Sequence, residues 1–132
     1  MFKTIEYNDG IVRMIDQTRL PLEKAYIDCH TIEDVGQAIK TMIIRGAPAI
    51  GVAAAMGISL GTDSIQAKDF DSFYKLMTGQ CNELGKTRPT AVNLAWAIER
   101  MKRVARENKH LSLPDLKQRL KKESLAVFDE DI

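Results

Sequence analysis

Residues 45–60, RGAPAIGVAAAMGISL, decide how this chain folds. Gly46 can take the left-handed backbone conformation that closes a helix, and Pro48 stands where a new helix can open without needing the N–H that proline lacks. Gly51, Ala53, Ala54, Ala55 and Gly57 then make a helix that carries little side chain. Glycine inside a helix costs about 1 kcal/mol relative to alanine, so such a helix is a poor choice for a surface, whereas in a core it lets neighbouring backbones approach closely. The stretch therefore predicts a central, buried helix. From Ala47 to Leu60 it would span about 21 Å at roughly 1.5 Å per residue, short of a hydrocarbon core about 30 Å thick, and this excludes a membrane span.

Working outward, the apolar period is two before this stretch and 3.6 on either side of it. Thr4 to Tyr7 and Ile11 to Ile15 are short β-like runs around Asn8, Asp9 and Gly10, residues that tolerate positive φ and favour a hairpin. Lys24 to Cys29 reads as a third strand after a turn at Leu20 and Pro21. From Thr31 the period changes: Ile32, Val35, Ala38, Ile39, Met42 and Ile43 recur at helical spacing, with Thr31 as N-cap and Glu33 and Asp34 in the first turn. This helix is expected to end at Arg45 and Gly46.

Beyond the central helix, Asp69 caps a helix that turns Phe70, Phe73, Tyr74, Met77, Cys81 and Leu84 to one side and ends at Gly85. Another runs from about Thr90 to Asn108 with Val92, Ala95, Trp96, Met101, Val104 and Ala105 inward. A last one starts at Ser112, has Pro114 and Asp115 in its first turn, and buries Leu113, Leu116, Leu120 and Val127. The expected fold is α+β and mostly helical, a small antiparallel N-terminal sheet of about three strands packed on about five helices. No repeat, low-complexity tract or linker divides it.

Composition narrows the function. A chain of 132 residues, 45% hydrophobic, suits one domain with a real core. A net charge of +1 gives no excess of positive charge to hold a nucleic acid or an anionic membrane, so the partner is small or protein. Cys29 and Cys81 lie far apart without CxxC spacing, which suits reduced thiols and argues against a disulfide or a zinc site. The opening MFKTIEYNDG turns polar too soon for a signal peptide, and the protein is expected in the cytoplasm. Arg100 to Lys122 holds nine basic and two acidic residues, but Trp96 is the only aromatic neighbour, so a solvated helix face accounts for it better than RNA binding. Asp129, Glu130 and Asp131 are consecutive on a helix and point apart, a poor metal cluster. No metal or cofactor is expected.

Two arginine-led turns carry the chemistry: RGAPAIG from Arg45 to Gly51 and TRPTAVN from Thr87 to Asn93. Each sets an arginine beside a glycine or proline turn just before a helix, so a fixed positive charge and unpaired N–H groups converge, as a phosphate or carboxylate requires. The alternative is that Arg45 caps the end of its own helix and Arg88 pairs with an exposed carboxylate. Two such turns in one small domain favour an anion site. His30 has no visible partner and His110 lies in a polar connector; Cys81 reads as a core residue and Cys29 is ambiguous in facing.

RGAPAIGVAAAMG followed by TRPTAVNLAWAIERM resembles the N-terminal domain of the methylthioribose-1-phosphate isomerases, part of a superfamily with ribose-1,5-bisphosphate isomerases and the regulatory subunits of translation initiation factor 2B. The likeness runs through essentially the whole chain, including the hairpin and the QTRLP turn. It implies that Arg45, Gly46, Ala47 and Arg88 contact a sugar 1-phosphate whose blocked anomeric oxygen prevents ordinary ring opening. It also implies that the catalytic cysteine and aspartate belong to a C-terminal Rossmann-like domain absent from this chain, in which neither Cys29 nor Cys81 takes that role. The chain is therefore expected to bind weakly and not to turn over alone, with the C-terminal half of the enzyme as partner and a homodimer as the complete protein. A non-catalytic regulatory module, a fragment of a ribose-1,5-bisphosphate isomerase and a helical interaction domain remain as alternatives.

Overall fold

The computed structural model describes residues 5–8, 10–16, 25–41, 43 and 46–130. The expected turn at Leu20 and Pro21, the start of the third strand at Lys24, and Arg45 and Asp131 lie outside these residues. Strands β1 (Ile5–Asn8), β2 (Ile11–Ile15) and β3 (Tyr26–Cys29) precede helices α1 (Ile32–Lys40), α2 (Ala47–Asp63), α3 (Phe70–Gly85), α4 (Val92–Glu107) and α5 (Leu113–Glu130). This is the α+β, mostly helical architecture expected from the sequence, with an antiparallel sheet in the order β1-β2-β3.

Helix α2 is the axis of the molecule. Every residue from Ile50 to Thr62 is buried, and the helix packs against α1, α3, α4 and α5 and against strands β1 and β2. Its small residues make this possible. A methyl added at Gly57 would lie 2.9 Å from Val35 Cγ1 and 3.0 Å from Val35 Cβ, so α1 sits directly on the glycine. The sheet turns Ile5, Tyr7, Val12, Met14 and Cys29 to the core, while on its other face Arg13 forks the cross-strand Asp28 at 2.7 and 3.1 Å. The Tyr7 hydroxyl shares a buried 2.9 Å hydrogen bond with Ser59, tying the sheet to α2.

Several boundary and facing expectations are corrected. Helix α1 stops at Lys40 rather than at Arg45 and Gly46. The Thr41 hydroxyl and N–H both donate to the Gln37 carbonyl, and the Ile43 N–H reaches five residues back to Ala38, which breaks the helical ladder. Ile43 still packs against the core from this turn, so its spacing imitates a helix. Gly46 does have positive φ, at 97°, but it stands at the N-cap of α2 and closes nothing. Helix α3 does end at Gly85, as expected, with its end closed by Lys86 in a right-handed conformation and by Thr87.

The facing of α4 is also shifted. Leu94, Ala97, Met101, Val104 and Ala105 point inward, while Ala95 is exposed, Val92 is 79% exposed and Trp96 is 49% exposed. Leu113 is only half-buried at the edge of the core, where Leu116, Leu120 and Val127 are fully inside. Helices α4 and α5 are clamped by Arg100, which is 11% exposed. Its Nε donates to Glu123 at 2.6 Å, and its two terminal nitrogens fork Glu130 at 2.8 and 2.6 Å.

Candidate anion-binding site

The turn that presents Arg88 is built from its neighbours. The Thr87 hydroxyl and N–H both donate to the Leu84 carbonyl, at 2.7 and 3.1 Å, seating the turn on the end of α3. Pro89 supplies the fixed φ favoured at the second position of a turn, and the Ala91 N–H closes the loop onto the Arg88 carbonyl at 3.0 Å. Helix α4 begins at the next residue, with Ala91 as its N-cap. On the facing side, Gly46 at φ 97° and ψ 129° opens α2, with Pro48 in its first turn.

The starts of the five helices are not alike. Thr31 accepts from the Asp34 N–H and Asp69 from the Ser72 N–H, each at a helix with acidic residues in its first turn. At α2 and α4, among the described residues, no side chain caps the start and no acid lies in the first turn. Their unpaired N–H groups and the positive ends of their dipoles therefore stand without compensation. Both starts open on one cleft of about 480 Å³, lined by Gly46, Ala47, Ile50, Arg88, Ala91, Val92 and Asn93. Among the described residues Arg88 pairs with no carboxylate, so its guanidinium is available to the cleft.

Three of the four residues singled out in the sequence, Gly46, Ala47 and Arg88, thus share one concavity; Arg45, next in the chain to Gly46, lies outside the described residues. Asn93 was missed as a wall of this cleft. Its signal was present in TRPTAVN, since a side-chain amide in the first turn of an uncapped helix stands beside the anion position. Chemically, a guanidinium with two bare helix starts can hold a phosphate-sized oxyanion. A smaller groove of about 290 Å³ between α1 and α3 mixes Lys40 and Lys86 with Glu33 and Glu83, and so has no net field for an anion.

The remaining candidates behave as structural groups. Burial, with Asp34 and Asp28 nearby, pushes the Cys29 thiol up to about 11, and burial pushes Cys81 to about 12, so neither is a ready thiolate. His30 and His110 are exposed, and the His30 N–H donates to Asp34 in the α1 cap. Several basic residues of the Arg100–Lys122 stretch are engaged within the fold: Arg106 with Glu99 and the Tyr74 hydroxyl, Arg119 with Glu123, and Lys117 with the carbonyls of Asp63 and Ile65. Among the described residues no acidic, histidine or cysteine cluster could hold a metal ion, and no helix is long and apolar enough to cross a membrane.

Next to the anion cleft lies a second groove of about 420 Å³, which shares Val92 and Asn93 with it and is otherwise walled mainly by apolar groups.

Residues 43–132 match the model of the Initiation factor 2 subunit family. The chain is 51% identical over 131 residues to the methylthioribose-1-phosphate isomerase of Geobacter sp. strain M21 and 53% identical over 131 residues to that of Geobacter sulfurreducens, each alignment covering 99% of this chain and 38% of the relative. The crystal structure of 5-methylthioribose 1-phosphate isomerase from Pyrococcus horikoshii OT3 matches with a TM-score of 0.92 at 38% identity, over 98% of this chain and 36% of that one. Subunit delta of the translation initiation factor eIF-2B from A. fulgidus matches with a TM-score of 0.88 at 34% identity, over 98% of this chain and 37% of that one. The chain thus spans little more than a third of the length of these relatives.

Proposed function

The chain belongs to the Initiation factor 2 subunit family, and on that footing we propose that it is the N-terminal, substrate-binding part of an aldose–ketose isomerase. The reaction is the conversion of S-methyl-5-thioribose 1-phosphate to S-methyl-5-thioribulose 1-phosphate, a step of methionine salvage. One observation carries the reading: Gly46, Ala47 and Arg88 line a single cleft at two uncapped helix starts. The phosphate sits against those N–H groups, with Arg88 on one side and Arg45 supplying a second guanidinium beside Gly46.

In this substrate the phosphate blocks the anomeric oxygen, so the ring opens only with acid assistance at the ring oxygen. Isomerisation then removes a hydrogen from C2 and delivers one to C1, leaving a ketone at C2 with no net oxidation. No residue of this chain is assigned to those steps. They belong to a C-terminal Rossmann-like domain, to which residues 1–132 contribute a single N-terminal domain; the complete enzyme is cytoplasmic and homodimeric.

The test is reconstitution. The 132-residue chain is expected to show no turnover alone, to gain it when the C-terminal part of the Geobacter sulfurreducens isomerase is added, and with Arg88→Ala to lose at least about tenfold in kcat/KM, the order for a lost charge-assisted phosphate contact. Turnover by the chain alone refutes the division of labour, and an unimpaired Arg88→Ala refutes the site. The likeness to the initiation factor subunit favours a second reading, a non-catalytic regulatory module. Titration with methylthioribose 1-phosphate, nucleotide monophosphates and a phosphorylated initiation factor separates the two.

A further inference from the structure

We infer that the groove beside the anion cleft, floored by Gly51 and walled by Val92 and Trp96, is the subsite for an apolar group at the far end of the phosphorylated sugar. This rests on the reading of the anion cleft given above and adds to it the feature that selects a thioether over a second phosphate.

Continuity is the first argument. Val92 and Asn93 belong to both concavities, so one ligand can lay its phosphate against the helix starts and its other end against Trp96. Character is the second. Pro48, Gly51, Val92, Trp96 and Val127 offer no charge, and the one ionic residue, Glu130, is already forked by Arg100. A second phosphate placed here would lose its hydration against Val92, Trp96 and Val127, where the Arg100 charge is already matched by Glu123 and Glu130; a methylthio group would bury its methyl and set its sulfur against the indole.

Rigidity and space complete the case. Arg100 lies over the Trp96 ring at 5.3 Å while it holds Glu123 and Glu130, so the ring is held by a group that is itself fixed. Gly51 is not required by helix packing. A methyl there would stand 3.5 Å from the Asn93 carbonyl oxygen and 3.9 Å from Trp96 Cε3, ordinary contact distances. A buried helix that forgoes alanine without being forced to do so leaves open the space that the proposal fills.

Trp96 is the sole tryptophan of the chain, so its emission reports on this groove directly. The 132-residue chain is titrated with inorganic phosphate, ribose 1-phosphate, ribose 1,5-bisphosphate and methylthioribose 1-phosphate, with calorimetry for the variants. Methylthioribose 1-phosphate is expected to bind about tenfold tighter than ribose 1-phosphate, the order expected for burying two small apolar groups, and to shift the Trp96 emission. That ratio shrinks in Trp96→Ala and, with the fold retained, in Gly51→Ala, whose methyl fills part of the groove. Equal affinities for the two monophosphates, or tightest binding of the bisphosphate, overturns the subsite and leaves the anion cleft standing. Failure of every ligand, inorganic phosphate included, overturns the cleft as well.

Discussion

Replacing Gly57 by alanine tests how closely α1 is seated on the central helix. The new methyl would lie 2.9 Å from Val35 Cγ1 and 3.0 Å from Val35 Cβ, against an ordinary carbon–carbon contact of about 3.5–4.0 Å. Turning the valine side chain relieves the first contact. It cannot relieve the second, because Cβ is fixed to the α1 backbone, so the helix itself must retreat by roughly half an ångström or more. Overpacking of this kind costs about 1–3 kcal/mol, and the better helix propensity of alanine offsets about 1 kcal/mol of it. A net loss of about 1–2 kcal/mol follows, read as a lower urea midpoint at unchanged slope. Val35→Ala alone also destabilises, by about 2 kcal/mol for the methyl groups removed. In the double variant the two changes compensate in part: the contacts with the two Val35 Cγ atoms are gone while the contact with Cβ stays, and the measured loss is smaller than the sum by about 1 kcal/mol. A neutral or stabilising Gly57→Ala, or strict additivity in the pair, would refute the close approach. The outcome bears on function because the segment joining these helices carries Arg45 and Gly46.

Three further expectations follow from the same geometry. Gly46→Ala meets no atom of the described residues within 4 Å, so its expected cost is that of the backbone at φ 97°, about 1–3 kcal/mol by urea denaturation, with phosphate affinity falling as the α2 start is displaced. Arg100→Met leaves Glu123 with Arg119 alone and releases Glu130; a cost of about 2–3 kcal/mol is expected, below that of a fully buried pair because Glu130 is largely exposed. The pH dependence has a definite sign. Burial pushes the Glu123 carboxyl up, but the bonds from Arg100 and Arg119 more than offset it, and the Arg100 bond likewise lowers Glu130. Both folded values thus lie below the unfolded value of about 4.3, so their contribution is complete above that pH and is lost as pH falls through the lowered folded values. Stability measured from pH 6 down to pH 3 should therefore drop at the acid end, and less steeply in Arg100→Met; an unchanged slope would remove the network from the account.

The central helix was readable because it needs no phase: a stretch apolar on every side from Ile50 to Leu60 is buried whichever way it turns. Helix α4 needed a phase, and there the apolar residues misled. Val92 and Trp96 look like core by type, yet Leu94 and Ala97 hold that place, since apolar character does not by itself put a residue inside. The end of α1 was hidden for a related reason, as Ile43 reaches the core from a turn that breaks the helix. These misreadings have a common direction. Gly46 in a conformation other residues avoid, two helix starts without side-chain caps, a buried glycine that packing does not demand, and the exposed Val92 and Trp96 all border the two joined concavities at the N-terminal ends of α2 and α4. Their juxtaposition supports the proposed reading, since a sugar phosphate with an apolar tail would need bare N–H groups and a guanidinium at one end and an indole and an open backbone at the other.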